Sequence, residues 1–99
     1  MYWIDKNNNA HYVRSFDDIS KYDYENKASS FIEDDFITAT YGNGNKKFIV
    51  QGAGYKSPYI QDLVSANTIF ECKCIVENTY KERIDNKQLI IIGFYEVVD

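Results

Sequence analysis

The chain predicts a mainly β fold: one small antiparallel barrel with one or two short helices. Three observations carry this expectation. Nine tyrosines, six phenylalanines and one tryptophan make 16% of the 99 residues aromatic, and such residues favour strands. Apolar runs recur between clusters of Gly, Asn and Asp. One short helical stripe falls between the third and fourth of these runs, an order few small barrels share. An α+β antiparallel sheet with its helices on one face is the alternative.

Met1–Asp5, the turn Lys6–Asn9 and Ala10–Ser15 read as a hairpin, because Asn7-Asn8-Asn9 tolerates the positive φ of a tight turn. Phe16–Ile32 is polar. Ser15 followed by Asp17-Asp18 suits a helix start by capping and dipole, so a short helix is expected there, with an irregular connection as the alternative. Asp35–Tyr41 reads as a strand. Gly42-Asn43-Gly44-Asn45 is the clearest turn, and it predicts a hairpin with Lys46–Gly52. Ser57-Pro58 reads as a helix N-terminus, and Ile60, Leu63 and Val64 give Pro58–Ala66 an i, i+3, i+4 stripe. In Thr68–Lys81, Phe70, Cys72, Cys74 and Val76 alternate with Glu71, Lys73 and Glu77, the pattern of a half-buried strand. A turn at Glu82–Gln88 then leads to Leu89–Val98, an apolar strand with a bend or bulge expected at Gly93.

Ninety-nine residues make one domain, in which 1–34 form an acidic hairpin and connecting segment and 35–99 the barrel core. Net charge is −4, and all of it lies in front. Residues 1–41 hold four basic and eight acidic groups, whereas residues 42–99 hold seven of each. An acidic surface repels phosphate at long range, which argues against strong non-specific DNA binding. No apolar run reaches the roughly 18 residues of a membrane span. The first residues lack a basic region followed by an apolar one, so a cytoplasmic address is expected.

Cys72 and Cys74, two apart on a strand, would point to one face with Cα atoms about 7 Å apart, poor geometry for a disulfide. His11 is the single histidine, so no metal site is expected. Gly42-x-Gly44 and Gly52-x-Gly54 lack the form of phosphate loops. Asp17-Asp18 and Glu33-Asp34-Asp35 lack calcium-loop spacing and any partner for acid–base work. Neither a cofactor nor an enzymatic activity is expected.

The series Lys47–Gly52, Pro58–Ala66, Ile69–Val76, polar hairpin, Leu89–Val98 resembles OB-fold proteins of the bacterial single-stranded-DNA-binding type. The resemblance covers residues 35–99 as a pattern of elements. It implies an OB-like barrel that grips single strands by stacking rings on bases, about 1–3 kcal/mol per base, beside cations for the phosphates. The residues that supply these groups are Tyr41, Lys46, Lys47, Phe48, Tyr55, Lys56, Lys73, Tyr80, Lys81, Arg83 and Lys87. The alternative is an acidic protein-binding inhibitor or immunity factor of the phage or mobile-element type. It would meet a host or toxin protein by imitating phosphate spacing with Asp17, Asp18, Asp23, Glu25, Glu33, Asp34 and Asp35. The exposed edges of a sheet permit a homodimer without demanding one.

Overall fold

The computed structural model describes residues 1–19, 30–55 and 59–98. The chain opens with the expected hairpin. Strands β1 (Tyr2–Ile4) and β2 (Asn9–Tyr12) pair antiparallel. Asn8 turns the corner at φ 63°. The backbone N–H groups of Asn7 and Asn9 donate to Asp5 Oδ1 at 2.8 and 3.0 Å, and His11 Nε2 lies 2.7 Å from Asp5 Oδ2. Burial alone would push the Asp5 carboxyl up. The hydrogen bonds from His11 and these two amides outweigh it, and the carboxyl is held below its ordinary value.

After a single 3-10 turn at Phe16–Asp18, strand β3 (Ser30–Ile32) joins the other edge of β1. The remainder of the helix expected between Phe16 and Ile32 lies outside the described residues, except at its end, where the chain is extended. The strand expected at Asp35–Tyr41 begins later. Asp34–Phe36 form a 3-10 turn, and β4 spans Ala39–Gly42.

The remaining strands are β5 (Lys46–Gly54), β6 (Ile60–Ala66) and β7 (Leu89–Val97). The seven strands of the described residues make one curled, mixed sheet, a half-barrel, in the order β3-β1-β2-β7-β5-β6-β4. The fold is therefore mainly β with two short helices, as the sequence predicts. Two pairings, β2 with β7 and β4 with β6, are parallel.

Three expectations are corrected. The turn at Gly42–Asn45 does not make a hairpin, because β6 lies between β4 and β5. Gly42 takes φ 94°, and a Cβ there would meet the Ser65 carbonyl oxygen at 2.1 Å. The turn crosses the end of β6 so closely that only glycine fits.

Second, Ile60–Ala66 is a strand and not a helix. Ile60, Asp62, Val64 and Ala66, two apart, are all buried, and β6 pairs on both sides. The expected helix start at Ser57-Pro58 lies outside the described residues.

Third, the stretch expected to be a strand at Thr68–Lys81 is helix α1 (Ile69–Thr79), followed by the short α2 (Lys81–Asp85). Thr68 caps α1 by accepting from the Glu71 amide at 3.1 Å, half of a Thr-x-x-Glu capping box. Cys72 and Val76 turn inward at helical spacing, while Phe70 and Cys74 face water. The expected turn at Glu82–Gln88 holds α2 and a corner at Lys87, φ 59°.

Both sheet faces carry a core. Phe48, Val50, Val64 and Ala66 pack under Cys72 and Val76 of α1. On the opposite face Tyr2, Ile4, Ala10, Ile32 and Ile49 form a second cluster. Burying a side chain of this size contributes roughly 1.5–3 kcal/mol. The bulge expected near Gly93 is present: Gln51 pairs with Gly93 and Gly52 with Ile91, which leaves Ile92 unmatched.

Candidate functional site

The aromatics expected to stack on bases are mostly committed to the interior. Phe48 is 2% exposed, in the core beneath α1. Tyr41 and Tyr80 are half-buried, and their hydroxyls donate to Asp62 Oδ2 at 2.7 and 2.5 Å. Thr38 Oγ1 donates to Asp62 Oδ1 at 2.6 Å. Asp62 is completely buried, so three hydroxyls replace the water it lost. Burial, together with the hydrogen bond to Asp62 and its charge, pushes the Tyr80 phenol up to about 12 and raises that of Tyr41 further. This is a structural hub. It ties β4 and the C-terminal end of α1 to β6.

Tyr55 is well exposed, just beyond β5. The cations divide between two places. Lys46 Nζ lies 3.3 Å from Glu96 Oε1, and Lys73 Nζ sits 5.5 Å from the centre of the Phe94 ring. Lys81, Arg83 and Lys87 belong to α2 and the turn after it, with Arg83 stacked 5.7 Å from the centre of the Tyr80 ring. Lys47 is exposed, and Lys56 lies outside the described residues.

A different set converges. Phe31, Phe36, Tyr59 and Ile92 surround a groove of about 360 Å³. Phe36, Tyr59 and Ile92 are 54, 56 and 63% exposed, an unusual concentration of open apolar surface. Gln51 and Gln61 line the groove. Gln51 Nε2 donates to Gln61 Oε1 at 2.9 Å, and Gln61 Nε2 donates to the Phe36 carbonyl at 3.1 Å. Among the described residues, no charged side chain lines it.

The acidic residues supply the adjoining surface. Glu33, Asp34 and Asp35 are exposed and immediately precede Phe36 in the turn that brings it to the groove. The terminal ammonium of Met1 lies 3.3 Å from Asp34 Oδ2. Asp17 and Asp18 are exposed on the earlier 3-10 turn. Asp23 and Glu25 lie outside the described residues.

Sequence reasoning missed the groove. The sequence puts Phe36 inside the strand expected at Asp35–Tyr41, whereas it ends the 3-10 turn Asp34–Phe36 and is exposed. Gln51 and Gln61 meet only because β5 and β6 pair in register. The one available signal was Leu89–Tyr95, too apolar on both faces for a half-exposed strand.

No protein-family model, curated protein or solved structure matches the chain. Among the described residues, no helix is long and apolar enough to cross a membrane.

Proposed function

We propose that this chain is a small non-enzymatic binding protein whose partner is another protein. One observation carries the reading: the open groove ringed by Phe31, Phe36, Tyr59 and Ile92, with Glu33, Asp34 and Asp35 beside it. Exposed rings around a pocket supply anchoring surface at low entropic cost. The glutamine amides offer hydrogen-bonding groups to a peptide backbone. The neighbouring carboxylates favour basic residues in the partner and speed its approach. The ligand class is thus a segment with one apolar or aromatic anchor flanked by Lys or Arg. This reading keeps the carboxylates Glu33, Asp34 and Asp35 of the acidic protein-binding alternative read from the sequence, but it replaces imitation of phosphate spacing with an apolar groove as the centre of the contact.

A second reading keeps the single-strand binder. Phe70, 75% exposed, lines a groove with Lys46, Phe94, Asn8 and Asn9, and Lys73 covers the Phe94 ring. Rings beside cations suit a base and its phosphate. Glu96 stands in the same groove and engages Lys46, which places this reading second.

Both are tested in one titration of isotope-labelled protein, followed by amide chemical shifts. A short peptide with Trp or Leu between lysines should shift residues 31–36, 51, 59, 61 and 92, and Phe36→Ala should weaken it about tenfold, the loss of one well-packed anchor. An oligothymidylate that instead shifts Lys46, Phe70 and Lys73 in a salt-sensitive way would favour the second reading. A peptide that shifts nothing removes the first.

A further inference from the structure

Strand β7 is paired unequally on its two sides. Along one edge it matches β5 from Leu89 to Glu96. Along the other, β2 takes only Glu96 and Val97, and the Val98 amide donates to the Ala10 carbonyl at 2.9 Å. Among the described residues, the edge from Leu89 to Tyr95 has no strand partner. Those seven residues read Leu-Ile-Ile-Ile-Gly-Phe-Tyr.

Natural sheets protect such an edge with charge, proline or very short strands. This one has no charged residue and no proline, and it runs beside Ile90 and Ile92, 67 and 63% exposed. The bulge at Ile92 bends the strand but adds no charge.

We infer that the free edge of β7 is a self-association surface, occupied by the same edge of a second copy running antiparallel. Charge complementarity selects this occupant. The strand is preceded by Lys87, exposed at the corner after α2, and carries Glu96 near its far end, a carboxylate that lies 3.3 Å from Lys46 Nζ and still has 38% of its side chain exposed to meet a second cation. Antiparallel pairing brings the Lys87 end of each copy beside the Glu96 end of the other. Parallel pairing would set lysine beside lysine and glutamate beside glutamate. An antiparallel contact between identical edges also closes on a two-fold axis, so neither copy keeps this stretch of β7 open to recruit a third. The middle of the contact is wholly apolar, which adds burial to the backbone hydrogen bonds.

Light scattering and sedimentation across the micromolar range test this. The intact chain should reach twice its monomer mass. Ile90→Lys, at an exposed position outside the aromatic groove, should leave it monomeric with an unchanged circular dichroism spectrum. Lys87→Glu should weaken the dimer several-fold, and Lys87→Glu combined with Glu96→Lys should restore it. That reciprocal rescue would not follow from a folding defect. A chain monomeric at all concentrations, or a dimer indifferent to these changes, overturns the proposal. So does slow exchange in dilute monomer of those amides of residues 89–95 that point away from β5, because that would mean the chain covers the edge itself.

Discussion

Asp62 illustrates how one residue can defeat a local reading. Within Ile60–Ala66, an aspartate argues against two buried faces, and the helical stripe of Ile60, Leu63 and Val64 leaves it outside. In the structure it points inward, because Thr38, Tyr41 and Tyr80 bring hydroxyls from 24, 21 and 18 residues away. Tyr80→Phe removes one of the three donors to this carboxylate. It should cost about 1.5–3 kcal/mol, the range for a hydrogen bond to a charged group, read as a lower urea midpoint. The hub also sets a pH limit. Tyr80 is raised in the folded state from its ordinary 10.0 to about 12, so its contribution is complete below about 10 and is lost as pH rises through about 12. Unfolding free energy followed from neutral to strongly basic pH should fall across that window, and less steeply in Tyr80→Phe. The two cysteines report on the neighbouring correction. Both would share a face on a strand, but on α1 Cys74 is exposed and Cys72 is buried, its thiol pushed by burial up to about 11. A thiol reagent should therefore modify Cys74 quickly in native protein and Cys72 only on unfolding. Equal reactivity would argue against the helix.

At the scale of elements, the readings that held were those with a specific turn or a long apolar run. Asn7-Asn8-Asn9 marked the first hairpin. Lys46–Gly52 and Leu89–Val98 lie on β5 and β7 almost end to end. The two that exchanged identities, Pro58–Ala66 and Thr68–Lys81, are segments whose apolar spacing fits both periods. Phe70, Cys72, Cys74 and Val76 alternate, but Cys72, Val76 and Tyr80 also recur every four residues. The signal that separates them is Thr68-x-x-Glu71, a capping pattern that a strand has no use for. Thr68→Ala should cost about 1 kcal/mol, the usual value of a lost N-cap, while Thr68→Ser keeps most of it. Denaturant curves for the two variants would separate a cap from an inert surface threonine. The order of β4, β6 and β5 had no local signal at all. A glycine turn makes a hairpin attractive, and only long-range pairing shows that a third strand lies between the two it connects.

The whole molecule measures 44 × 30 × 22 Å, with a radius of gyration of 13.9 Å. That is slightly above the roughly 13 Å of a tightly packed domain of this length, as suits a curled sheet that does not wrap into a ball. The openness has consequences. It exposes the groove around Phe36 and Tyr59, and it leaves β7 half-paired, so the two proposed contacts both follow from incomplete closure. By itself, the amino-acid sequence determined the predominance of strands, the first hairpin, the two long apolar strands and the acidity of the front segment. Composition, turn chemistry and charge are local properties, and they survive any rearrangement of the rest. Which ambiguous segment became helix, which strands became neighbours and which rings stayed in water were decided only by tertiary structure. Each depends on partners distant in the chain: hydroxyls for a buried carboxylate, a strand slot already filled, a face that another element does or does not cover.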